Sequence, residues 1–339
     1  MKVIYTIDVE GHDGENPFQS LVWGNNKHMQ NQGIDKIMDL ADEFGIKGLF
    51  FVDFAAAWEY GKENVSDVVN HIIERGHDVG VHIHPAHMDC SGRKFLSDYT
   101  YDEQFDLINK CTMLYKEITR KSPKSFRAGR YSANNDTLKI LNKLGYRYDF
   151  SEFYGQKWCK ISPAITSISP VRYDGIVEIP VTSFQSIKFG SYEKYNRLDG
   201  AHESFFFRYI LKRARRIDNI IVTMFSHSFS FIDWRGHPDT PFADEDAYRK
   251  TYANFVFMKE DPEIMFVSEK QLEMIDFPDY CEFPIIQLFK NPIICMLFIL
   301  KTAYSIRRAN RKARILIISL QIATIIVLLI VSLKLFGVY

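Results

Sequence analysis

At 339 residues, 46% hydrophobic and 25% charged with a formal net charge of zero, the chain is able to bury a sizeable core and offers no global charge for nucleic acid. Its five cysteines (Cys90, Cys111, Cys159, Cys281 and Cys295) form no CxxC pair. That excludes a zinc ribbon and reads as free thiols in a reducing compartment.

Strands and helices alternate from the first residues. Lys2–Glu10 reads as a strand with Val3, Ile4, Tyr5 and Ile7 as β-formers, and no apolar signal-peptide core precedes it. A helical period follows over Ile34–Phe44, stopped by Gly45, and then a strand over Gly48–Phe54. Helix Val65–Arg75 ends at Gly76 and leads into strand Asp78–His84, helix Tyr101–Thr119 and strand Ser125–Gly129. Beyond these come helix Asn134–Leu144 and strands Tyr146–Ser151 and Ile176–Thr182. Helix Ser204–Arg216, strand Asn219–Phe225, helix Asp246–Met258 and strand Ile264–Ser268 complete the pattern. Repeated βα units imply a mostly parallel sheet, and seven or eight strands favour a closed or partly closed β/α barrel with chemistry at the C-terminal strand ends.

Polar residues gather at those ends. In Thr6-Ile7-Asp8-Val9-Glu10, strand alternation puts Asp8 and Glu10 on one face, where two carboxylates repel unless a cation compensates them. In Gly80-Val81-His82-Ile83-His84-Pro85-Ala86-His87, His82 and His84 share a face. Two imidazoles and a carboxylate suit a divalent metal such as zinc, with His87 as an alternative ligand. Arg127 and Arg130 flank Gly129 at the end of the fourth strand. His227 follows the apolar run Ile220–Phe225 and reads as a general acid, since an unperturbed imidazole titrates near neutral pH. Trp23, Trp58 and Trp234 are candidates for sugar stacking.

The C-terminus has a different character. Residues 315–333 form an uncharged apolar run, long enough as a helix at about 1.5 Å per residue to cross a bilayer core of about 30 Å. Five basic residues lie within 307–314, just before it, and by the positive-inside rule they hold the N-terminal body on the cytoplasmic side. The expected organisation is a catalytic domain over 1–280, a membrane-proximal segment over 281–314 and a single-pass transmembrane anchor over 315–336.

Five motifs in chain order (TIDVEG at 6–11, GVHIHPAH at 80–87, FRAGRYS at 126–132, YDFS at 148–151 and MFSHS at 224–228) resemble those of the polysaccharide deacetylases. These are the NodB-homology domains of carbohydrate esterase family 4, and the His-x-His-Pro form looks closest to the WbmS-like branch. The resemblance covers roughly residues 1–275. It implies a distorted β/α barrel holding one divalent metal and hydrolysing the N-acetyl group of a sugar. By the same resemblance Asp8 is the base, Glu10, His82 and His84 are the metal ligands, Arg127 orients the base and His227 is the acid. Backbone N–H groups near Tyr131 would hold the oxyanion, and Asp149 would orient His227. Motif one departs from the family's adjacent Asp-Asp, so the roles of Asp8 and Glu10 are exchangeable. Motif two lacks the His-x-x-x-His spacing because position 86 is Ala. An anchored cytoplasmic site would meet lipid-linked or nucleotide-linked sugars of O-antigen or capsule assembly. A deformylase or other amide hydrolase on the same fold keeps the metal and changes the acyl pocket. A non-catalytic sugar-binding scaffold follows if the two departures mark a degenerate site.

Overall fold

The computed structural model describes residues 1–11, 16–162, 169–189, 191–218, 220–235, 240–279, 285–288 and 294–298. Its first half alternates strictly: β1 (Lys2–Val9), α1 (Ile34–Glu43), β2 (Leu49–Asp53), α2 (Ala57–Tyr60), α3 (Lys62–Glu74), β3 (Asp78–Ile83), α4 (Tyr101–Thr119), β4 (Ser125–Ala128), α5 (Asn135–Leu144) and β5 (Tyr148–Asp149). Short strands β6 (Val171–Tyr173) and β7 (Ile176–Glu178) follow, then a hairpin of β8 (Ser183–Phe189) and β9 (Tyr192–Arg197). The second half continues with α6 (Ser204–Ala214), β10 (Ile221–His227), β11 (Ile232–Asp233), β12 (Phe242–Ala243), α7 (Glu245–Glu260), β13 (Met265–Phe266), α8 (Glu269–Leu272) and β14 (Ile286–Gln287).

Local chemistry sets the boundaries. A reciprocal capping box between Thr100 and Glu103 starts α4, and one between Asn134 and Thr137 starts α5. Gly145, at φ 85°, ends α5 in the left-handed conformation a side chain resists. The main sheet runs β10-β1-β2-β3-β4-β5-β7-β6, with β13 also pairing β1. Every neighbour pair in it is parallel except β6 with β7. Strand β1 is buried from Val3 to Val9, as expected for a parallel strand covered on both faces.

The barrel does not close by a ladder. The strand expected over Ile176–Thr182 ends at Glu178, with the Ile179 and Val181 amides still donating to the Asp149 and Glu152 carbonyls. Pro180 follows closely and has no N–H to donate. The gap to β10 is bridged instead by side chains: the Thr182 amide donates to Thr223 Oγ1 at 2.6 Å, and the Thr223 amide to Thr182 Oγ1 at 2.9 Å. Residues 198–200 complete the wall, with the Phe225 amide donating to the Leu198 carbonyl at 3.1 Å and the Gly200 amide to the Phe225 carbonyl at 3.0 Å. The result is an α/β half-barrel, the partly closed form of the expected distorted barrel.

The transmembrane expectation is corrected. No helix among the described residues is long and apolar enough to cross a membrane, so the fold carries no supported C-terminal anchor. The single-pass, cytoplasm-facing localisation built on that anchor is withdrawn. Residues 315–336 themselves lie outside the described residues, and of 281–314 only 285–288 and 294–298 are described. Ile286, Leu288 and Phe298 in those stretches are buried on the domain, while Leu297 is exposed. Phe298 is buried, with its ring centroid 5.6 Å from that of Phe184 and 5.2 Å from that of Phe206.

Candidate active site

Strand register assembles the site. In the parallel sheet Asp8 lies beside His227, and His82 lies between Asp53 and Arg127. Glu10, two residues past Asp8, shares its face, and His84 shares that of His82. Glu10 Oε2 is 2.5 Å from His84 Nε2 and 3.4 Å from His82 Nε2, while its Oε1 is 3.4 Å from His227 Nε2.

Glu10, His82 and His84 offer three ligand atoms within 4.8 Å of one another, the one such group among the described residues. The His82 Nδ1–H donates to the Arg127 carbonyl at 2.9 Å, which orients the ring so that Nε2 is the nitrogen turned toward Glu10 and available to a metal on losing its proton. Nε2 of His82 and of His84 are both buried and converge on Glu10 Oε2 without a well-aligned hydrogen bond. Buried polar atoms left so are rare, and two imidazoles plus a carboxylate fit a divalent ion. His87 is engaged elsewhere, with Nε2 3.3 Å from Asp53 Oδ2 and Nδ1 against Glu59 Oε2. Burial favours the neutral form of His82, but Asp8, Glu10 and Asp53 together outweigh it and push its pKa up to about 9.

Arg127 is fully buried. Its Nη1 donates to Asp8 Oδ1 at 2.6 Å, Nη2 to Thr6 Oγ1 at 3.1 Å and Nε to the Phe150 carbonyl at 3.2 Å. The guanidinium carbon also lies 4.3 Å from the Phe51 ring centroid. Asp8 is thereby fixed in position beside the cluster.

His227 differs from the ordinary imidazole expected of it. Its ring stacks on Phe229 at 4.6 Å and meets Phe225 edge-on at 4.7 Å. Burial first, and then the charge of Arg197, lower its pKa to about 4, so it is neutral near pH 7. Asp149, expected to orient it, is turned another way: Asp149 Oδ1 accepts from Ser151 Oγ at 2.6 Å, and its register neighbour is Glu178. Tyr131 is buried, and its hydroxyl accepts from Arg197 Nη1 at 2.8 Å.

Arg197 was not anticipated. It ends β9, and its guanidinium carbon lies 3.7 Å from the Phe225 ring centroid, next to His227. The available signal was Gly190-Ser191 between two β-prone runs, which marks a hairpin and would have carried Arg197 to the rim.

Behind Arg127 sits a buried acid cluster of Asp149, Glu178 and Glu152. Burial, and then repulsion between Asp149 and Glu178, hold Glu178 well above the usual carboxylate range. Glu152 is pushed up to about 8, mainly by burial and secondarily by Asp149. Because these folded pKa values are raised, their contribution to stability is complete below the unfolded carboxylate range and is lost as pH rises through the folded values. Glu178→Gln removes one such group. Denaturant unfolding at about pH 5 and about pH 8 is expected to show a smaller loss of stability across that window in the variant than in the parent. An equal loss in both would show that the cluster does not titrate this way.

Comparisons with known proteins bear on this arrangement. Residues 23–148 match the family model for polysaccharide deacetylase, a span that holds His82, His84 and Arg127 but neither Asp8, Glu10 nor His227. A peptidoglycan deacetylase-like protein of Gibberella zeae is 26% identical over 121 residues, covering 35% of this chain and 32% of that protein. A peptidoglycan deacetylase of Helicobacter pylori is 25% identical over 165 residues, covering 44% of this chain and 52% of that protein. The matches thus span about a third to a half of the curated relatives' length. A crystal structure from Mycobacterium smegmatis, assigned as a polysaccharide deacetylase, shares the fold at 16% identity with a TM-score of 0.51, covering 84% of this chain and 94% of that one.

Proposed function

We propose that this chain, which belongs to the polysaccharide deacetylase family through residues 23–148, is a metal-dependent hydrolase that removes the N-acetyl group from a sugar. The observation that carries the reading is the convergence of the buried Nε2 atoms of His82 and His84 on the Glu10 carboxylate, next to the Asp8–Arg127 pair. A lipid-linked or nucleotide-linked sugar of surface-polysaccharide assembly remains a finer reading that the His-x-His-Pro form suggests, without the support of a membrane anchor.

Glu10, His82 and His84 would hold the ion, and a divalent ion bound there supplies Lewis acidity toward the acetamide and lowers the pKa of water. Asp8, with one oxygen held by Arg127, takes the proton from the attacking water. The backbone at Arg130 and Tyr131 supplies donors toward the developing oxyanion. Because His227 rests neutral, the proton it passes to the departing amine is the one Asp8 has taken from water, Asp8 being its register neighbour. Phe225 and Phe229 pack on its ring and limit water there.

The test is acetate release from a panel of N-acetyl sugars by the full chain, before and after chelation and after restoring zinc or another divalent ion. Metal-dependent release supports the reading. No release by folded protein with stoichiometric metal, across sugars of both charge types, would contradict it.

A further inference from the structure

Beside Glu10 and His84 the site opens into a cavity of about 210 Å³ whose walls include Glu59, His87, Lys94 and Arg130. The mechanism above uses neither cation. Nearby positive charges are already engaged: Arg127 with Asp8, Arg93 with Asp89 and Glu103, and Arg197 with Tyr131. Lys94 and Arg130 are exposed, and among the described residues no ion pair of either one is seen.

The backbone under Arg130 is held in an unusual state. Arg130 has φ 56° and ψ 19°, and Tyr131 has φ 59°. Two successive non-glycine residues in the left-handed region cost free energy and persist only where the surroundings enforce them. The enforcing contact is at Gly129, where a Cβ would come within 2.6 Å of the Ile83 carbonyl oxygen and 2.9 Å of the His84 ring. The turn is therefore pressed against the end of β3, and the start of the Arg130 side chain is fixed relative to His84.

Taking the deacetylase reading as its basis, we propose that Lys94 and Arg130 bind an anionic group, phosphoryl or carboxylate, carried by the sugar close to its acetamide. The substrate class is then acidic N-acetyl sugars rather than neutral glycans. An ammonium and a guanidinium at a pocket mouth attract an anion over distance, and both bond its oxygens, the guanidinium in bidentate fashion.

The experiment uses the metal-loaded full chain with N-acetylglucosamine 1-phosphate, N-acetylmuramic acid and neutral N-acetylglucosamine. Acetate release and calorimetric binding are measured for the parent and for K94Q, R130Q and R130K. The expected result is that at least one anionic sugar exceeds the neutral one by about tenfold or more in kcat/KM, the scale of a hydrogen bond to a charged group. That ratio should shrink in K94Q and R130Q and recover partly in R130K. The phosphate and the carboxylate separate the two sources of charge. Equal use of neutral and anionic sugars, or a ratio unchanged in both Gln variants, would overturn the proposal. If no sugar releases acetate, the deacetylase reading fails, and binding of N-acetylglucosamine 1-phosphate still decides this inference. Weaker binding in R130Q and K94Q upholds it, and parent-like binding in both overturns it.

Discussion

Asp8→Asn is expected to lower kcat on an N-acetyl sugar by about 10²- to 10⁴-fold, the usual contribution of a positioned general base, with the bound metal retained. Asparagine keeps the size of the side chain and an oxygen to accept from Arg127, so the contact now measured at 2.6 Å has a successor. What it loses is the capacity to take a proton. Glu10, His82 and His84 are untouched, so metal content should match the parent's. A variant with metal and near-parental kcat would remove the base role from Asp8 and give it to Glu10, the exchange that the Asp-Val-Glu spacing leaves open.

The second large effect is on stability. Arg127→Met is expected to cost about 3–5 kcal/mol, the range seen when one partner of a buried ion pair is removed. Asp8 is 5% exposed and Arg127 not at all, so bulk water cannot replace the guanidinium between the carboxylate and the acceptors at Thr6 and Phe150. Methionine fills much of the volume but leaves Asp8 charged and unpaired. Denaturant unfolding of the two single variants and of Asp8→Asn with Arg127→Met separates packing from charge. The double variant should recover part of the loss seen in Arg127→Met. A loss within about 1 kcal/mol, typical of an exposed pair, would mean that the Asp8–Arg127 pair carries no more than a solvated one.

Much of this site was legible in the sequence because it depends on period-two alternation along parallel strands. Asp8 with Glu10 and His82 with His84 follow from that period alone, and register then sets Asp8 beside His227. The helix Tyr101–Thr119 was readable to the residue because Thr100 and Glu103 form a capping box. Three features were not legible, each because it depends on contacts distant in sequence. Thr182 and Thr223 bridge the open barrel through side chains 41 residues apart, which no periodicity records. The enclosure that lowers the His227 pKa comes from aromatic rings and from Arg197, on a hairpin that sequence reading passed over. Asp149 lies where its motif suggests, yet its neighbours are Glu178 and Ser151, a consequence of pairing between β5 and β7. The apolar C-terminal run shows the opposite error. Composition alone suggested an anchor, while the part of the tail that is described, around Phe298, packs on the domain.

The most direct test of the metal-dependent reading is metal analysis of the purified full chain after equilibration with zinc and removal of excess, beside His82→Ala with His84→Ala. About one equivalent in the parent and none in the double variant is the expected result. A folded parent without metal after reconstitution, or a double variant that keeps a full equivalent, would contradict it.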